Sequence, residues 1–236
     1  MKNNTLQENK LEANVRCKDV SKIYRQGDIE VHALRRISIE IQDGSFVSLS
    51  GPSGSGKTTL LNLIGGLDRP TSGEIYLSNL RIDTLSSSEL AQVRLDNIGF
   101  IFQAYNLIPV LSARENVEFV MQLQGVNAAE RKERAYEILN AVGLNGLENR
   151  RPGELSGGQQ QRVAVARAIV SNPEIVLADE PTANLDSKTA KNLLEIMLSM
   201  CKERKVTFIF STHDKLVMEY AERLIKLHDG EIVSDE

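Results

Sequence analysis

The stretch DGSFVSLSGPSGSGKTTLLNLIGGL, Asp43 to Leu67, joins a short apolar run, a glycine loop and a helix in an order that decides the fold class. Phe46 to Ser50 reads as a buried strand, and a helix is predicted from the loop to about Ile64, where Gly65 and Gly66 stop it. Between them Gly51 to Thr58 fits G-x-x-x-x-G-K-[ST], flanked by strand and helix as a phosphate-binding loop must be. Gly51, Gly54 and Gly56 let backbone N–H groups curl round phosphates, and the helix start adds its positive dipole end. Lys57 brings an ammonium to the outer phosphates, and Thr58 offers a hydroxyl to Mg2+. With Pro52, Ser53, Ser55 and Thr59 they form the candidate nucleotide loop.

Upstream, RRISIEI alternates Ile37, Ile39 and Ile41 with polar residues, the period-2 mark of a half-buried strand, and hairpins are expected from Val15 onward. Downstream, SGEIYL and IGFIFQ read as strands. SARENVEFVMQLQG and NAAERKERAYEILNAVGL then read as a helical insertion, the second helix opened by a capping-box pattern at Asn127 and Glu130. EIVLADEP returns to strand, a helix covers about Lys188 to Arg204, VTFIFSTHD is a further strand, and RLIKLHDGEIV is a hairpin turning at Asp229-Gly230. Strands alternating with helices predict a parallel sheet covered on both faces.

The run EIVLADE supplies the second half of a nucleotide site. A buried strand delivers Asp179 beside the phosphate loop, where a carboxylate holds the metal. Adjacent strand residues face opposite ways, so Glu180 shares the site only at the strand's end, and Pro181 is expected to bias it toward an extended conformation. Its assigned role is to polarise the attacking water as general base. Gln103, between strand and insertion, is in position to reach metal and water. His213, after VTFIFST, is in position to donate to the terminal phosphate. His32 and His228 read as ordinary histidines.

LSGGQQQRVAVARA, Leu155 to Ala168, is a helix that starts on two glycines, each costing about 1 kcal/mol relative to alanine. Ser156 and Gln159 stand at capping-box spacing, so Gly157 and Gly158 leave the N–H groups bare, an end stripped for an anion. The phosphate loop already holds its own nucleotide. The second end therefore caps the terminal phosphate in another copy of the site, and function requires a dimer.

LSGGQ, the phosphate loop, Gln103, LADEPTANLD and STHD occur in the order found in ATP-binding subunits of ABC transporters, and the chain resembles them from about Val15 onward. That resemblance implies an α/β P-loop NTPase fold of ABC type, with a mainly parallel sheet core, an antiparallel β subdomain and an inserted α-helical subdomain at about 104–168. Residues 14–236 would be one such domain and 1–13 a polar, mobile extension. It further implies ATP and Mg2+ as cofactors, hydrolysis to ADP and phosphate, and a head-to-tail homodimer around two ATP molecules. Asn184 to Asp186 would be a loop crossing the dimer interface, with Asp186 among the nucleotide-binding residues, and Tyr24 the aromatic on which adenine stacks. FQAYNLIPVLSARENVEF, RRPGELSGGQQQRVAVARA and LADEPTANLDSKT resemble the lipoprotein-releasing and macrolide-export branch, which serves integral membrane permeases. Leu107, Ile108, Val110 and Leu111 either line a groove for a permease helix or pack inside the insertion.

Composition narrows the alternatives. With 28 Lys+Arg against 32 Asp+Glu the net charge is −4, without the basic excess of a general nucleic-acid binder. No apolar run approaches the roughly 18 to 20 residues that span a bilayer, and MKNNTLQENKLEANVR lacks a signal-peptide core. A cytoplasmic chain held at the inner face of the membrane by its permease is expected, with six residues after Gly230 leaving no room for a C-terminal regulatory domain. Cys17 and Cys201 fit neither a disulfide framework nor a metal site and read as packed, reduced thiols. A soluble ATPase of DNA repair or translation would carry a long coiled coil or a tandem second unit, and a slow scaffold would relax Glu180 and His213. An ATPase driving an extracytoplasmic process without moving cargo stays open beside the exporter.

Overall fold

The computed structural model describes residues 13–27 and 29–236; the polar N-terminal extension lies outside them up to residue 12. Strands β1 (Ala13–Gln26) and β2 (Ile29–Gln42) pair antiparallel, with Ile37, Ile39 and Ile41 buried between exposed neighbours. Next come β3 (Phe46–Ser50), α1 (Lys57–Ile64), β4 (Ser72–Leu77), β5 (Leu80–Arg81), α2 (Ser87–Asn97) and β6 (Ile98–Ile101). The insertion is α3 (Ala113–Leu123), α4 (Ala128–Ala141) and α5 (Gly157–Ile169). The chain closes with β7 (Ile175–Asp179), α6 (Ser187–Arg204), β8 (Thr207–Ser211), α7 (Lys215–Tyr220), β9 (Arg223–His228) and β10 (Glu231–Asp235).

Two sheets result. One is antiparallel in the order β2-β1-β4-β5; the other runs β10-β9-β3-β8-β7-β6 and is parallel except for its edge strand β10. The central parallel strands β3, β7 and β8 are buried on both faces, as crossover helices require, whereas β9 beside the edge leaves Lys226 and His228 exposed. In β8, Phe208 and Phe210 join one apolar cluster and Ile209 the other; in β7, Val176 and Ala178 part from Ile175 and Leu177 in the same way. Phe46 packs at a tilt against Phe210, ring centroids 4.5 Å apart, in the first cluster, which also takes Val117, Leu139 and Val163 from the three insertion helices. Insertion and sheet therefore share a core.

Neighbouring β3, β8 and β7 end on one edge of the sheet, the edge where open α/β folds bind ligands. The C-terminal turn braces that edge. Asp229 and Gly230 both have positive φ, +48° and +80°, the pattern of a two-residue hairpin turn. From it Gly230 donates its N–H to Ser55 O at 3.2 Å and accepts from Arg35 N–H at 2.8 Å, tying the phosphate loop to β2.

Three local readings change. Helix α2 was not expected, although Ser86 and Glu89 form a reciprocal capping box at its start; only Leu90 is buried, so its apolar periodicity is faint. At α4 the cap is one-sided: Asn127 accepts from Glu130 N–H, but the Glu130 carboxylate takes the Asn127 side-chain amide at 3.0 Å instead of the backbone. The short α7 was also unread.

Both cysteines are free and buried, Cys17 in one core cluster and Cys201 in the other. Burial pushes the Cys17 thiol up to about 12; burial, then the Glu222 charge, pushes Cys201 up to about 11. Folding thus favours the neutral thiols. That contribution is complete below the unfolded thiol pKa and is lost as pH rises through the folded values. At pH 8.5 a thiol–disulfide reagent should label neither cysteine in native protein and both in denaturant, with native rates at least about a hundredfold lower. Fast native labelling would show that the burial is not maintained in solution.

Candidate nucleotide site

The loop after β3 folds back on itself through glycine. Gly56, the residue before α1, has φ +102°, and a Cβ there would lie 2.6 Å from Ala33 O, so no other side chain fits between loop and β2. Lys57 is 8% exposed and donates from Nζ to Gly51 O at 2.8 Å and Pro52 O at 3.0 Å, which holds the ammonium under the loop. A cavity of about 550 Å3 opens above it. Ser53 to Thr59 form one wall, Gln103, Glu180 and His213 another, and Val31, His32 and Ala33 a third.

Thr58 Oγ1 lies 3.2 Å from Asp179 Oδ1, bringing together the two oxygen donors expected at a metal. Glu180 follows Asp179, and here the expected backbone is wrong. Its φ is +48°, in the left-handed region and not extended. This turn lets consecutive carboxylates serve one edge, at a strain of about 1 to 3 kcal/mol for a non-glycine residue. The neighbouring strand end sustains it. Glu180 N–H donates to Ser211 O at 2.9 Å, and the carboxylate accepts from Thr212 Oγ1 at 2.8 Å and His213 N–H at 3.1 Å. His213 Nδ1 stands 2.6 Å from Glu180 Oε1. With Nδ1 committed there, Nε2 gives phosphate a proton only from a doubly protonated ring, or after the ring leaves Glu180.

Gln103 lines the cavity, and its backbone carbonyl accepts from Asn184 Nδ2 at 2.9 Å. Tyr24 lies on β1 opposite Val31 of the cavity wall and is 41% exposed, so it is not a core aromatic. His32, read as ordinary, faces the cavity. The packing of β2 on the phosphate loop, through Ala33 O against Gly56 and Arg35 N–H on Gly230 O, brings it there, and no local motif marks it. Thr212, which holds Glu180, lies inside the STHD motif, in which it has no assigned role of its own.

The signature end is elsewhere. Ser156 accepts from Gln159 N–H at 3.3 Å and Gln159 Oε1 from Ser156 N–H at 2.9 Å, the reciprocal cap expected. With Gly157, Gly158, Asn184 and Asp186 they line a separate cavity of about 450 Å3. Gly158 has an additional reason to be there. A Cβ on Gly158 would lie 2.6 Å from Thr189 Cγ2, so close packing within the chain favours glycine there as well, whereas one on Gly157 would meet at 2.9 Å only the Tyr105 hydroxyl, the end of a side chain that can move aside. Asp186 caps α6, accepting from Lys188 and Thr189 N–H at 3.1 Å each. Its carboxyl is held below the usual range by the Thr189 hydroxyl and then the Thr189 amide. Within one chain it stands with the signature residues and not with the phosphate loop.

The sequence pattern of the family described as ABC transporter matches residues 34–183. The chain is 46% identical to the ABC transporter ATP-binding protein MJ0796 of Methanocaldococcus jannaschii over 94% of this chain and 96% of that protein. The chain belongs to the ABC transporter family. A macrolide export ATP-binding/permease protein, MacB of Brucella melitensis, is 46% identical over 94% of this chain, which spans only 34% of that longer protein. A solved dimer of the MJ0796 cassette in a post-hydrolysis state, bound to ADP and Pi, superposes with a TM-score of 0.88 at 45% identity, covering 94% of this chain and 97% of that one. This chain is accordingly an ATP-binding, ATP-hydrolysing subunit of the ABC type. Among the described residues no helix is long and apolar enough to cross a membrane.

Proposed function

We propose that two copies of this cassette pack head to tail, each phosphate loop facing the signature end of the other, and that closure on two MgATP molecules drives a membrane permease. One observation carries this: phosphate loop and signature end open into different cavities of the same chain. The dimeric form of the MJ0796 cassette supports it.

The donor set fits Mg2+: Thr58 Oγ1 and Asp179 Oδ1 lie together, Gln103 lines the same cavity as Thr58, and all offer the hard oxygen that this ion takes. Bound there, Mg2+ would neutralise charge on the phosphates. Lys57 adds a second cation from below. Glu180, aimed by Thr212 and the His213 amide, accepts the proton of the attacking water, and His213 and Gln103 bound the place of attack. Across the interface, the bare N–H groups at Gly157 and Gly158 face the terminal phosphate, and Asn184 to Asp186 follow the seam. Cleavage removes the shared charge that holds the copies together. Sedimentation of hydrolysis-blocked protein should show one subunit without nucleotide and two with MgATP; a single subunit at high concentration in both states would defeat the proposal.

The permease is supported by the ATP-binding/permease name of the MacB relative, which also favours export over mechanical work without cargo. In that assembly the chain is cytoplasmic and held at the inner face of the membrane. The docking residues we propose are others than Leu107, Ile108, Val110 and Leu111. Leu107 packs on the core, Ile108 is tied through its backbone to Asn116, and none of Leu107, Ile108, Val110 or Leu111 lines the apolar groove. That groove, about 580 Å3, is formed by Leu67, Leu95, Phe100, Phe102 and Leu123 where α2, β6 and α3 meet. An apolar helix of the permease is its proposed occupant. Tagged protein from mild detergent should bring an integral membrane protein along, and Leu123→Glu, at a 58% exposed position, should reduce that recovery at least about tenfold with little change in thermal midpoint. Undiminished recovery would move the docking site off this groove.

A further inference from the structure

Tyr24 is held in place by groups outside the nucleotide cavity. Its hydroxyl donates to Asp68 Oδ2 at 2.8 Å. Lys22, its side chain only 12% exposed, donates to Asp68 Oδ1 and Arg69 O, both at 2.7 Å. The same ammonium lies 4.8 Å over the Tyr24 ring, so one face of the ring meets a cation while much of the residue stays open to solvent. Asp68 is itself fixed. Its Oδ1 also accepts from Arg69 N–H at 2.7 Å, and the Leu67 and Asp68 amides both donate to Asn62 O in the last turn of α1, at 2.9 and 3.4 Å. Helix α1 begins at the phosphate loop. One rigid helix thus carries the phosphate cradle at its start and the anchor of Tyr24 just past its end.

The electrostatics agree with the geometry. Burial alone would raise the Asp68 carboxyl, but bonds from Lys22, the Arg69 amide and Tyr24 outweigh it and hold it below the usual range. Burial, then the Asp68 bond and charge, raise the Tyr24 phenol, against a smaller opposing bond from Thr59. The phenol keeps its proton and remains the donor.

We propose that Asp68 is a positioning residue for the nucleotide base: by gripping Tyr24 Oη and Lys22 Nζ together it fixes the plane of the Tyr24 ring at a set distance from the phosphate loop. This rests on Tyr24 being the adenine platform. A free Tyr24 has two side-chain torsions to settle when the base arrives; a gripped one has them settled beforehand, and preorganisation of this kind appears in binding and not in the chemical step.

The test compares ATP with inorganic tripolyphosphate, which has no base. Asp68→Ala should raise KM for ATP about 5- to 20-fold with kcat within about twofold, and leave inhibition by tripolyphosphate unchanged. Tyr24→Phe removes the hydroxyl alone and should match it, and the double variant should be no worse than either, as expected of two ends of one bond. Tyr24→Ala should cost about 10- to 100-fold in ATP affinity through lost stacking. If Tyr24→Ala leaves ATP affinity intact, the platform itself is wrong. If it weakens ATP while Tyr24→Phe and Asp68→Ala do not, the platform stands and Asp68 has no positioning role. Equal loss of ATP and tripolyphosphate in Asp68→Ala also overturns the proposal, because it would mark damage to α1.

Discussion

Glu180→Gln should bind MgATP, dimerise on it and turn it over at least about a hundredfold more slowly than the parent chain. The size follows from what is removed: an amide keeps the shape of the carboxylate but cannot accept the water's proton, and a positioned general base contributes about 10^2- to 10^4-fold. The structure explains why little else should change. The left-handed backbone at Glu180 is held by its own N–H to Ser211 O, which the substitution leaves alone. Thr212 Oγ1 and the His213 amide both donate to the side chain, and a glutamine oxygen still accepts one of them. With the amide oxygen in the Oε1 position both His213 contacts are kept, and the Thr212 hydroxyl turns to accept from the new NH2 group. Steady-state phosphate release and sedimentation with MgATP measure the two halves of the result. Turnover within a fewfold of the parent would remove Glu180 from the base role, and a variant that no longer binds ATP would mean that its carboxylate supports the cavity itself.

How far such roles could be read beforehand depended on how local their cause is. Strand β4 falls where SGEIYL places it, and β3, β7 and β8 lie within the runs assigned to them, because apolar runs between turn residues are local signals. Asp179 and Thr58 were legible for the same reason, each standing at a fixed step from a strand end. Glu180 was legible as a residue and not as a conformation: the effect of Pro181 on its neighbour is real, but the Ser211 and Thr212 contacts from another strand override it. Packing between distant segments left no trace to read. Gly158 against Thr189, Tyr24 against Asp68, and His32 over the phosphate loop each depend on which elements become neighbours. The apolar groove shows the same limit, since apolarity picked out Leu107 to Leu111 while the fold turned Leu67, Leu95 and Leu123 toward one another.

Whether nucleotide is shared between two copies is decided by mixing two inactive chains. Lys57→Ala removes the buried ammonium and should reduce turnover at least about a hundredfold, as loss of a phosphate cation does. For the signature end, Ser156→Arg is a better block than a substitution at Gly158, where any Cβ would strike Thr189 in the same chain and disturb α5 irrespective of a partner. Ser156→Arg still loses the cap to Gln159, worth about 1 kcal/mol, so its thermal midpoint must be measured beside its activity. In a head-to-tail dimer of one of each, one site combines both defects and the other combines an intact phosphate loop with an intact signature end. Random pairing of equal amounts makes half the dimers mixed, so about a quarter of the parent activity should return. A site contained within one chain recovers nothing at any ratio. Mixed dimers captured by two different tags yet inactive would therefore reject the shared site, however strongly the chain dimerises.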